Sequence, residues 1–134
     1  TEGQYALPAV GRHEILWVDR ESQTQTATTP VHGQPVFIIA QPASPYVWVN
    51  FATPLNDVVQ VVDSRSHEVV ATLTPGKAIL HMEFAPRGAE VWISSRDDNK
   101  VLIYDTKTRE KVGEIAAESP SGIFFTARAH QTGL

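Results

Sequence analysis

Val47-Trp48-Val49 and the downstream Val61-Val62-Asp63 form a stretch that occurs twice in this chain. It returns as Val91-Trp92-Ile93 and Ile103-Tyr104-Asp105, at spacings of 44 and 42 residues. A recurrence of this length, with several short strands in each unit, is typical of β-propeller blades. Because one blade cannot bury both of its faces alone, the repeat predicts packed blades that belong to a larger assembly.

The composition is typical of a globular chain, and its charges do not indicate a strongly charged partner. Its 134 residues are 42% hydrophobic and carry a net charge of −4, and no basic cluster favours nucleic acid. Because the sequence has no cysteine, disulfides and cysteine-ligated clusters are excluded within it. No apolar run approaches the roughly 20 residues that a membrane-spanning helix needs. The chain opens at Thr1 without an initiator Met or a signal-peptide pattern, as we expect of a processed or excised segment.

Runs rich in β-branched and aromatic residues, separated by Pro, Gly, Ser and Asp, predict an all-β fold. The predicted strands are residues 4–7, 15–19, 23–28, 36–40, 46–50, 58–62, 69–73, 81–84, 90–94, 100–104, 111–115 and 122–127. Grouped by the repeat, they predict a β-propeller segment of about three four-stranded blades. The predicted units are the end of one blade at 1–32, whole blades at 33–75 and 76–118, and the start of a further blade at 119–134.

Two other structures compete with this prediction in parts of the chain. A β-sandwich of about ten short strands fits the spacing of the turns but gives no reason for the recurrence. Residues 107–118 have a helix-friendly composition, but the repeat aligns them with the outer strand at 69–73. Trp48 and Trp92 hold equivalent positions, so both are predicted to pack in the core. The Asp that recurs at 19, 63 and 105 is predicted to cap the backbone amides of the turn that follows it.

Candidate binding residues lie on the connections from one blade's outer strand to the next blade's inner strand. In a propeller these connections border the central channel, and here they are residues 29–35, 74–81 and 119–122. Their Pro and Gly residues suit a ligand seat, and they equally suit a tight crossover without a ligand. His32 and Gln34 lie on the first connection. The imidazole of His32 could hold an anion or move a proton, or it could be an ordinary surface histidine.

Charged residues accompany the other two connections. His81 begins an inner strand, and Glu83 follows on the same face of that strand. Such a pair could orient a ligand, or it could be a hydrogen-bonded pair that lines a wet channel. Lys77 and Arg128 could hold ligand carboxylates, Arg128 as a bidentate fork, and each alone also fits a solvated surface charge. The histidine spacings match no metal motif, so no metal site is predicted.

Four longer runs make the chain resemble a known family over essentially its whole length. They are Val31-His32-Gly33-Gln34-Pro35-Val36-Phe37, Val47-Trp48-Val49-Asn50-Phe51-Ala52, Pro75-Gly76-Lys77-Ala78-Ile79-Leu80-His81-Met82-Glu83-Phe84 and Ser119-Pro120-Ser121-Gly122-Ile123-Phe124-Phe125-Thr126-Ala127-Arg128-Ala129-His130. They resemble the C-terminal third of the NirF family of haem d1 biosynthesis proteins. That family is related to the d1-haem propeller of cytochrome cd1 nitrite reductase, an enzyme of denitrification.

The resemblance implies a periplasmic protein with an eight-bladed propeller that binds haem d1 or a precursor for a late maturation step. The residues it implies as tetrapyrrole contacts are His32, Gln34, Lys77, His81, Glu83 and Arg128. Other d1-haem maturation proteins or the nitrite reductase would be partners. The His32 loop resembles the reductase loop that bears an active-site histidine. A second histidine of the reductase falls near Gln41, which argues against nitrite reduction here. The proximal iron ligand of the family would lie N-terminal to Thr1.

Three functions stay open at this point: an oxidoreductase that acts on the tetrapyrrole, a non-catalytic carrier that hands it on, and a cofactor-free scaffold for protein contacts. Unpaired strand edges in the first and last blades predict that the chain associates with itself. Because most of the channel lies outside these blades, we expect no tightly bound tetrapyrrole in this chain by itself.

Overall fold

The computed structural model describes residues 3–126, and this part of the chain is almost entirely β-structure. Its strands are β1 (Gln4–Pro8), β2 (Glu14–Asp19), β3 (Gln25–Pro30), β4 (Pro35–Ala40), β5 (Tyr46–Phe51), β6 (Val59–Asp63), β7 (Glu68–Leu73), β8 (Ile79–Phe84), β9 (Glu90–Ser95), β10 (Lys100–Asp105) and β11 (Lys111–Ala116). Two short 3-10 turns lie at Pro86–Gly88 and Arg96–Asp98. Among the described residues there is no helix long and apolar enough to cross a membrane. The predicted all-β class is confirmed.

The strands form three antiparallel sheets, and within each sheet every strand pairs with the next one along the chain. Blade one is β1-β2-β3, blade two is β4-β5-β6-β7, and blade three is β8-β9-β10-β11. The predicted propeller segment of about three blades is therefore confirmed, with three strands described in the first blade. Residues 111–116 form the outer strand that the repeat predicted, and not a helix. The sandwich alternative is wrong, because every sheet is a separate meander of sequential strands. The count of eight blades stays a prediction.

Strand register makes the three blades copies of one another. β1, β2 and β3 of blade one correspond to the second, third and fourth strands of the other two blades. In each blade the first residue of the second strand pairs with the Asp that ends the third strand: Gln4 with Asp19, Tyr46 with Asp63, and Glu90 with Asp105. A bulge then interrupts the pairing of the third strand with the fourth in all three. The sequence repeat is thus a repeat of backbone geometry, which is why it could be read from the Val-Trp-Val and Asp positions.

Each recurring Asp caps the turn that follows it, as predicted. Oδ1 of the Asp accepts a backbone N–H from inside the turn: from Ser22 at 2.7 Å for Asp19, from Arg65 at 2.8 Å for Asp63, and from Lys107 at 2.8 Å for Asp105. These bonds satisfy amides that the sheet ladder leaves unpaired at the bend. The same short sequence motif therefore produces the same hairpin in every blade.

The hydrophobic core lies between the blades and not inside one of them. One cluster joins blades one and two and consists of Ile15, Trp17, Val47, Val49, Phe51, Val58 and Val62. A second joins blades two and three and consists of Trp48, Val59, Val61, Ile79, Met82, Phe84, Val91 and Ile93. Blade two contributes opposite faces of β5 and β6 to the two clusters, as the two-residue alternation of a strand requires. Burial of these faces is what holds adjacent blades together.

Trp92 departs from the prediction that both tryptophans are core residues. Trp48 is 0% exposed and meets Phe84 of blade three edge-on, with ring centroids 6.0 Å apart. Trp92 is only partly buried and lines an open groove on the far side of blade three. The reason is that the described residues place only Ile123, Phe124 and Phe125 against that face, where Trp48 has a whole blade.

The prediction of a strand at 122–127 is wrong for residues 122–126. Residues 122–126 are described and form no strand, and Ala127 lies outside the described part. A blade's inner strand pairs with the second strand of the same blade, as β8 does with β9. No such partner strand exists among the described residues, so the segment packs on blade three without forming a sheet ladder.

Candidate functional site

The candidate site lies where the inner strands of the blades converge. The inner strands β4 and β8 contact each other across the boundary between blades two and three. β1 and β5, which hold the second-strand position of blades one and two, each contact the inner strand of the blade that follows. In a propeller this convergence marks the central channel. Large apolar side chains stay open to solvent there: Phe37 on β4 is 46% exposed, and Phe124 in the segment after blade three is 77% exposed. An exposed aromatic cluster beside converging strands is a candidate ligand surface.

A bulge shapes the inner strand of blades two and three in the same way. Pairing of β4 with β5 shifts between Pro35 and Ile38, and pairing of β8 with β9 shifts between Ile79 and Met82. The bulges place Phe37 and His81 at equivalent positions. Such bulges re-aim side chains near functional sites.

Each bulge leaves a backbone N–H without a partner in the sheet ladder, and a polar side chain of the neighbouring strand accepts it. Asn50 Oδ1 accepts Phe37 N–H at 3.1 Å, and Ser94 Oγ accepts His81 N–H at 2.9 Å. Asn50 is buried, and its amide also donates to the carbonyl oxygens of Ile79 and Leu80, both at 3.2 Å. Asn50 therefore ties the bulge of blade two to the inner strand of blade three.

His81 is the most closely constrained of the predicted site residues. Its ring lies 5.8 Å from Phe37 and 5.5 Å from Phe124, measured between ring centroids. Its Nδ1 accepts the backbone N–H of Ile123 at 3.1 Å. Because Nδ1 is an acceptor, the neutral ring carries its proton on Nε2. The histidine is thus held between two aromatic rings with one nitrogen used by the protein and the other available to donate.

His32 lies on the rim at the preceding blade and is exposed. Its backbone N–H donates to Gln60 Oε1 at 2.9 Å, and its ring meets Phe51 edge-on at 5.4 Å. Within residues 3–126, no hydrogen bond or ring contact joins His32 to His81 or Lys77. The structure therefore gives His32 a fixed backbone at the rim and a separate environment from that of His81.

Lys77 has a fixed backbone and an exposed side chain. Its N–H donates to Asp98 Oδ2 at 2.7 Å, and its carbonyl accepts Ser95 Oγ at 3.1 Å. The hydrogen bond from Lys77 N–H, followed by one from Ser95, lowers the pKa of Asp98. Gly76 is required next to it, because a Cβ there would collide with Ser95 Oγ and Asp98 Oδ2. The tight connection fixes the backbone of Lys77 and leaves its side chain exposed to solvent.

The remaining predicted residues have different surroundings. Gln34 Oε1 accepts Gly11 N–H at 3.3 Å, so its amide holds the β1–β2 hairpin against the rim. Glu83 is buried and lines the groove beside Trp92 and Ile123. Arg128 lies outside the described residues. Of the six predicted contacts, the structure brings His81 and Glu83 to one place, against the 123–125 segment.

Three residues of this site escaped the sequence prediction: Phe37, Asn50 and Phe124. The equivalence of Phe37 with His81 could have been found by aligning the two inner strands through their bulges. Asn50 carries a weaker signal, a polar residue at the end of the apolar run Val47-Trp48-Val49. In the described part of the chain, no group of three or more His, Asp or Glu residues could hold a metal ion.

Comparison with known proteins places the chain in a family. The family profile described as Cytochrome D1 heme domain matches residues 1–129. Two curated proteins named NirF, from Stutzerimonas stutzeri and Pseudomonas aeruginosa, are each 49% identical to it over 131 residues, which is 98% of this chain. The matched region is 34% of the first relative and 33% of the second, so the chain spans about a third of their length.

A solved structure agrees with these sequence matches. The structure of dihydro-haem d1 dehydrogenase NirN in complex with DHE has a TM-score of 0.79 to this chain at 26% identity. The match covers 89% of this chain and 26% of that one. These relatives confirm the resemblance that the four sequence runs indicated. The chain belongs to the cytochrome d1 haem domain family.

Proposed function

We propose that this chain takes part in haem d1 biosynthesis and forms part of the surface on which haem d1 or a precursor binds for a late maturation step. The observation that carries the proposal is the placement of His81 between Phe37 and Phe124 at the converging inner strands, in a chain of the d1-haem family. The proposed compartment is the periplasm, as the resemblance to the NirF family implies.

The residues present fit a flat tetrapyrrole with acidic substituents. Phe37 and Phe124 offer apolar ring surface to the macrocycle, and the Nε2–H of His81 can donate a hydrogen bond between them. The ammonium group of Lys77 is exposed and can pair with a carboxylate of the pigment. The tetrapyrrole supplies its own redox chemistry when bound, and these side chains bind and orient it.

Absorption titration tests this proposal directly. We expect the chain, and more strongly a full-length family member that carries it, to bind haem d1 in preference to haem b. His81→Phe keeps a ring between Phe37 and Phe124 but removes the N–H donor. We expect it to weaken binding about tenfold, the equivalent of about 1.4 kcal/mol. His13→Ala, at an exposed histidine of blade one, is the matched control and should bind as the parent does. Equal affinity of both variants would remove His81 from the site, and no binding by any form would leave the scaffold function.

The catalytic and carrier functions differ in what happens to the pigment after binding. An oxidoreductase changes the absorption spectrum of the bound precursor with time, whereas a carrier leaves the spectrum constant until an acceptor protein is added. The proposed acceptors are other d1-haem maturation proteins or the nitrite reductase. Nitrite reduction is not proposed. Gln41 accepts Trp48 Nε1–H at 3.0 Å and so has a structural role in blade two.

Self-association is the remaining part of this proposal. In the described residues β1 is an edge strand with Tyr5 58% and Leu7 44% exposed, and an unpaired edge of this kind can pair with a second chain. Sedimentation of the isolated chain across a hundredfold concentration range should show dimers or larger species. A constant monomer mass would contradict the proposal.

A further inference from the structure

A specific side-chain contact joins blade two to blade one at their outer ends. The amide of Gln4, the first residue of β1, donates to Ser64 O at 2.6 Å, and its Oε1 meets His67 Nε2 at 3.0 Å. The ring of His67 also lies 4.8 Å from the ring of Trp17. The turn of blade two is thus hydrogen-bonded to the second strand of the preceding blade.

Blade three contacts blade two at the equivalent position. The guanidinium of Arg109 lies over the ring of Tyr46, with Cζ 5.1 Å from the ring centroid. A cation placed over an aromatic face is attracted to it by the ring quadrupole. Tyr46 is the first residue of β5, and Arg109 lies in the turn after β10. We call each of these contacts a blade clasp: a turn residue of one blade against the first residue of the second strand in the preceding blade.

The two clasps are related by the repeat and not by chance. His67 and Arg109 each lie four residues after the capping Asp and donate their backbone N–H to its carbonyl, at 2.8 Å in both cases. Both adopt the left-handed conformation, with φ of 59° and 60°. Gln4 and Tyr46 in turn each pair with a capping Asp. The chemistry differs between the clasps, while the geometry is the same.

Glu90 holds the third position of this series. It is the first residue of β9, and it pairs with the capping Asp105. It lies two residues before Trp92, on the face of blade three that points away from blade two, and both line a groove of about 310 Å³. Its Oε2 accepts Trp92 Nε1–H at 3.3 Å. Among the described residues no turn of a following blade reaches Glu90.

We propose that Glu90 is one half of a third blade clasp and that it receives a basic side chain (Lys, Arg or His) from the turn of a following blade of the propeller. The identity of the occupant follows from continuity with the two interfaces that the chain already contains. The partner's charge follows from the carboxylate. Glu90 is half-buried, and a following blade packed on this face would cover it further, so its carboxylate would need a cationic or strong donor partner there. The relatives of this chain are about three times as long, so further blades of this fold exist in the family.

Reversing the charge of Glu90 tests this inference in two proteins: a full-length family member and the 134-residue chain. The test does not depend on pigment binding. In a full-length family member that carries this segment, Glu90→Lys should lower the thermal midpoint by about 3 °C or more. Glu90→Gln should have a smaller effect, because an amide can still accept a hydrogen bond. Glu21→Lys makes the same change of charge at an exposed turn of blade one and is the control. In the 134-residue chain alone, Glu90→Lys and Glu21→Lys should shift the midpoint equally.

Two results would overturn the inference. One is an equal shift for Glu90→Lys and Glu21→Lys in the full-length protein, which decides the matter even if the short chain lacks a cooperative transition. The other is a loss of self-association of the short chain on Glu90→Lys without an effect on the full-length protein, which would assign this face to a second copy. Arg109→Ala, which breaks a clasp present in both contexts, should lower both midpoints and shows that the measurement can detect such a contact.

Discussion

Asp63 shows how one side chain serves both its own turn and the electrostatics of the fold. It caps the turn of blade two through Oδ1 and holds Arg65 in a fork, with Nε–Oδ1 at 3.1 Å and Nη2–Oδ2 at 2.7 Å. The hydrogen bond from the Arg65 guanidinium is the main reason why the pKa of Asp63 falls to about 2. Asp63 itself is well covered, but 67% of the Arg65 side chain is exposed, so solvent screens the pair and its contribution to stability is small.

This lowered pKa predicts an acid-dependent loss of stability. The carboxyl of Asp63 has a pKa near 4 when unfolded, so its contribution to stability is complete above about pH 4. The contribution is lost as the pH falls through the folded value of about 2. Asp63→Asn keeps an oxygen for Arg65 N–H but removes this titration. Urea midpoints measured from pH 7 to pH 2 should fall less steeply below pH 4 in the variant. Parallel curves for variant and parent would contradict this assignment.

At the scale of the element, the Asp-capped hairpin is the unit that repeats. Its closing residue has positive φ in all three blades, yet the chain uses Gln23, His67 and Arg109 there and never glycine. A non-glycine residue in this conformation is strained by roughly 1 kcal/mol. His67 and Arg109 offset the strain through their clasps with the preceding blade. Gln23 makes no such contact in the described residues.

Glycine at these positions should therefore have opposite effects. Gln23→Gly relieves backbone strain without losing a contact, and we expect it to raise the free energy of unfolding by about 0.5–1 kcal/mol. His67→Gly relieves the same strain but loses the Gln4 hydrogen bond and the Trp17 contact, so it should destabilise by about 1–2 kcal/mol. Chemical denaturation of the two variants beside the parent checks this. An equal change in both variants, or stabilisation by His67→Gly, would show that the clasp is not stabilising.

At the scale of the whole molecule, blade two is the blade enclosed on both faces. Its strand β6 is buried along its whole length, from Val59 to Asp63, and β5 is buried from Val47 to Phe51. Blades one and three each cover one side of it and keep their other faces partly open. Stability in such a row of units depends on contacts between neighbours.

Hydrogen exchange should follow this order. We expect the slowest amide exchange in β5 and β6 and faster exchange in β1 and β11, which are edge strands of the outer blades. Mass spectrometry of peptides from the exchanged chain resolves these strands. Phe84→Ala, which opens the interface between blades two and three, should raise the exchange of β9 and β10 more than that of β2. Uniform protection across the blades would contradict a core that lies between them.

The sequence prediction succeeded for features that depend on neighbouring residues and was wrong for features that depend on residues distant in the chain. Strands and turns could be predicted because they depend on neighbouring residues: β-branched runs, Pro and Gly at connections, and the capping Asp. The strand prediction was wrong at residues 122–126 because a strand also needs a partner strand, which composition does not report. The prediction that Trp92 packs in the core was also wrong. Trp92 has the same position in the repeat as Trp48 but different surroundings.

By itself the sequence determined the kind of fold and the family, because a period of about 44 residues and four long runs are properties of the order of residues. Only the tertiary structure decided which side chains meet. His81 lies between Phe37 and Phe124, one before it and one after it by more than 40 residues, because the packing of separate blades brings their inner strands together. Their spacing is that of the repeat, so the sequence can place these residues at equivalent positions of successive units. Whether the equivalent side chains touch depends on how the blades pack and on the bulges in the inner strands.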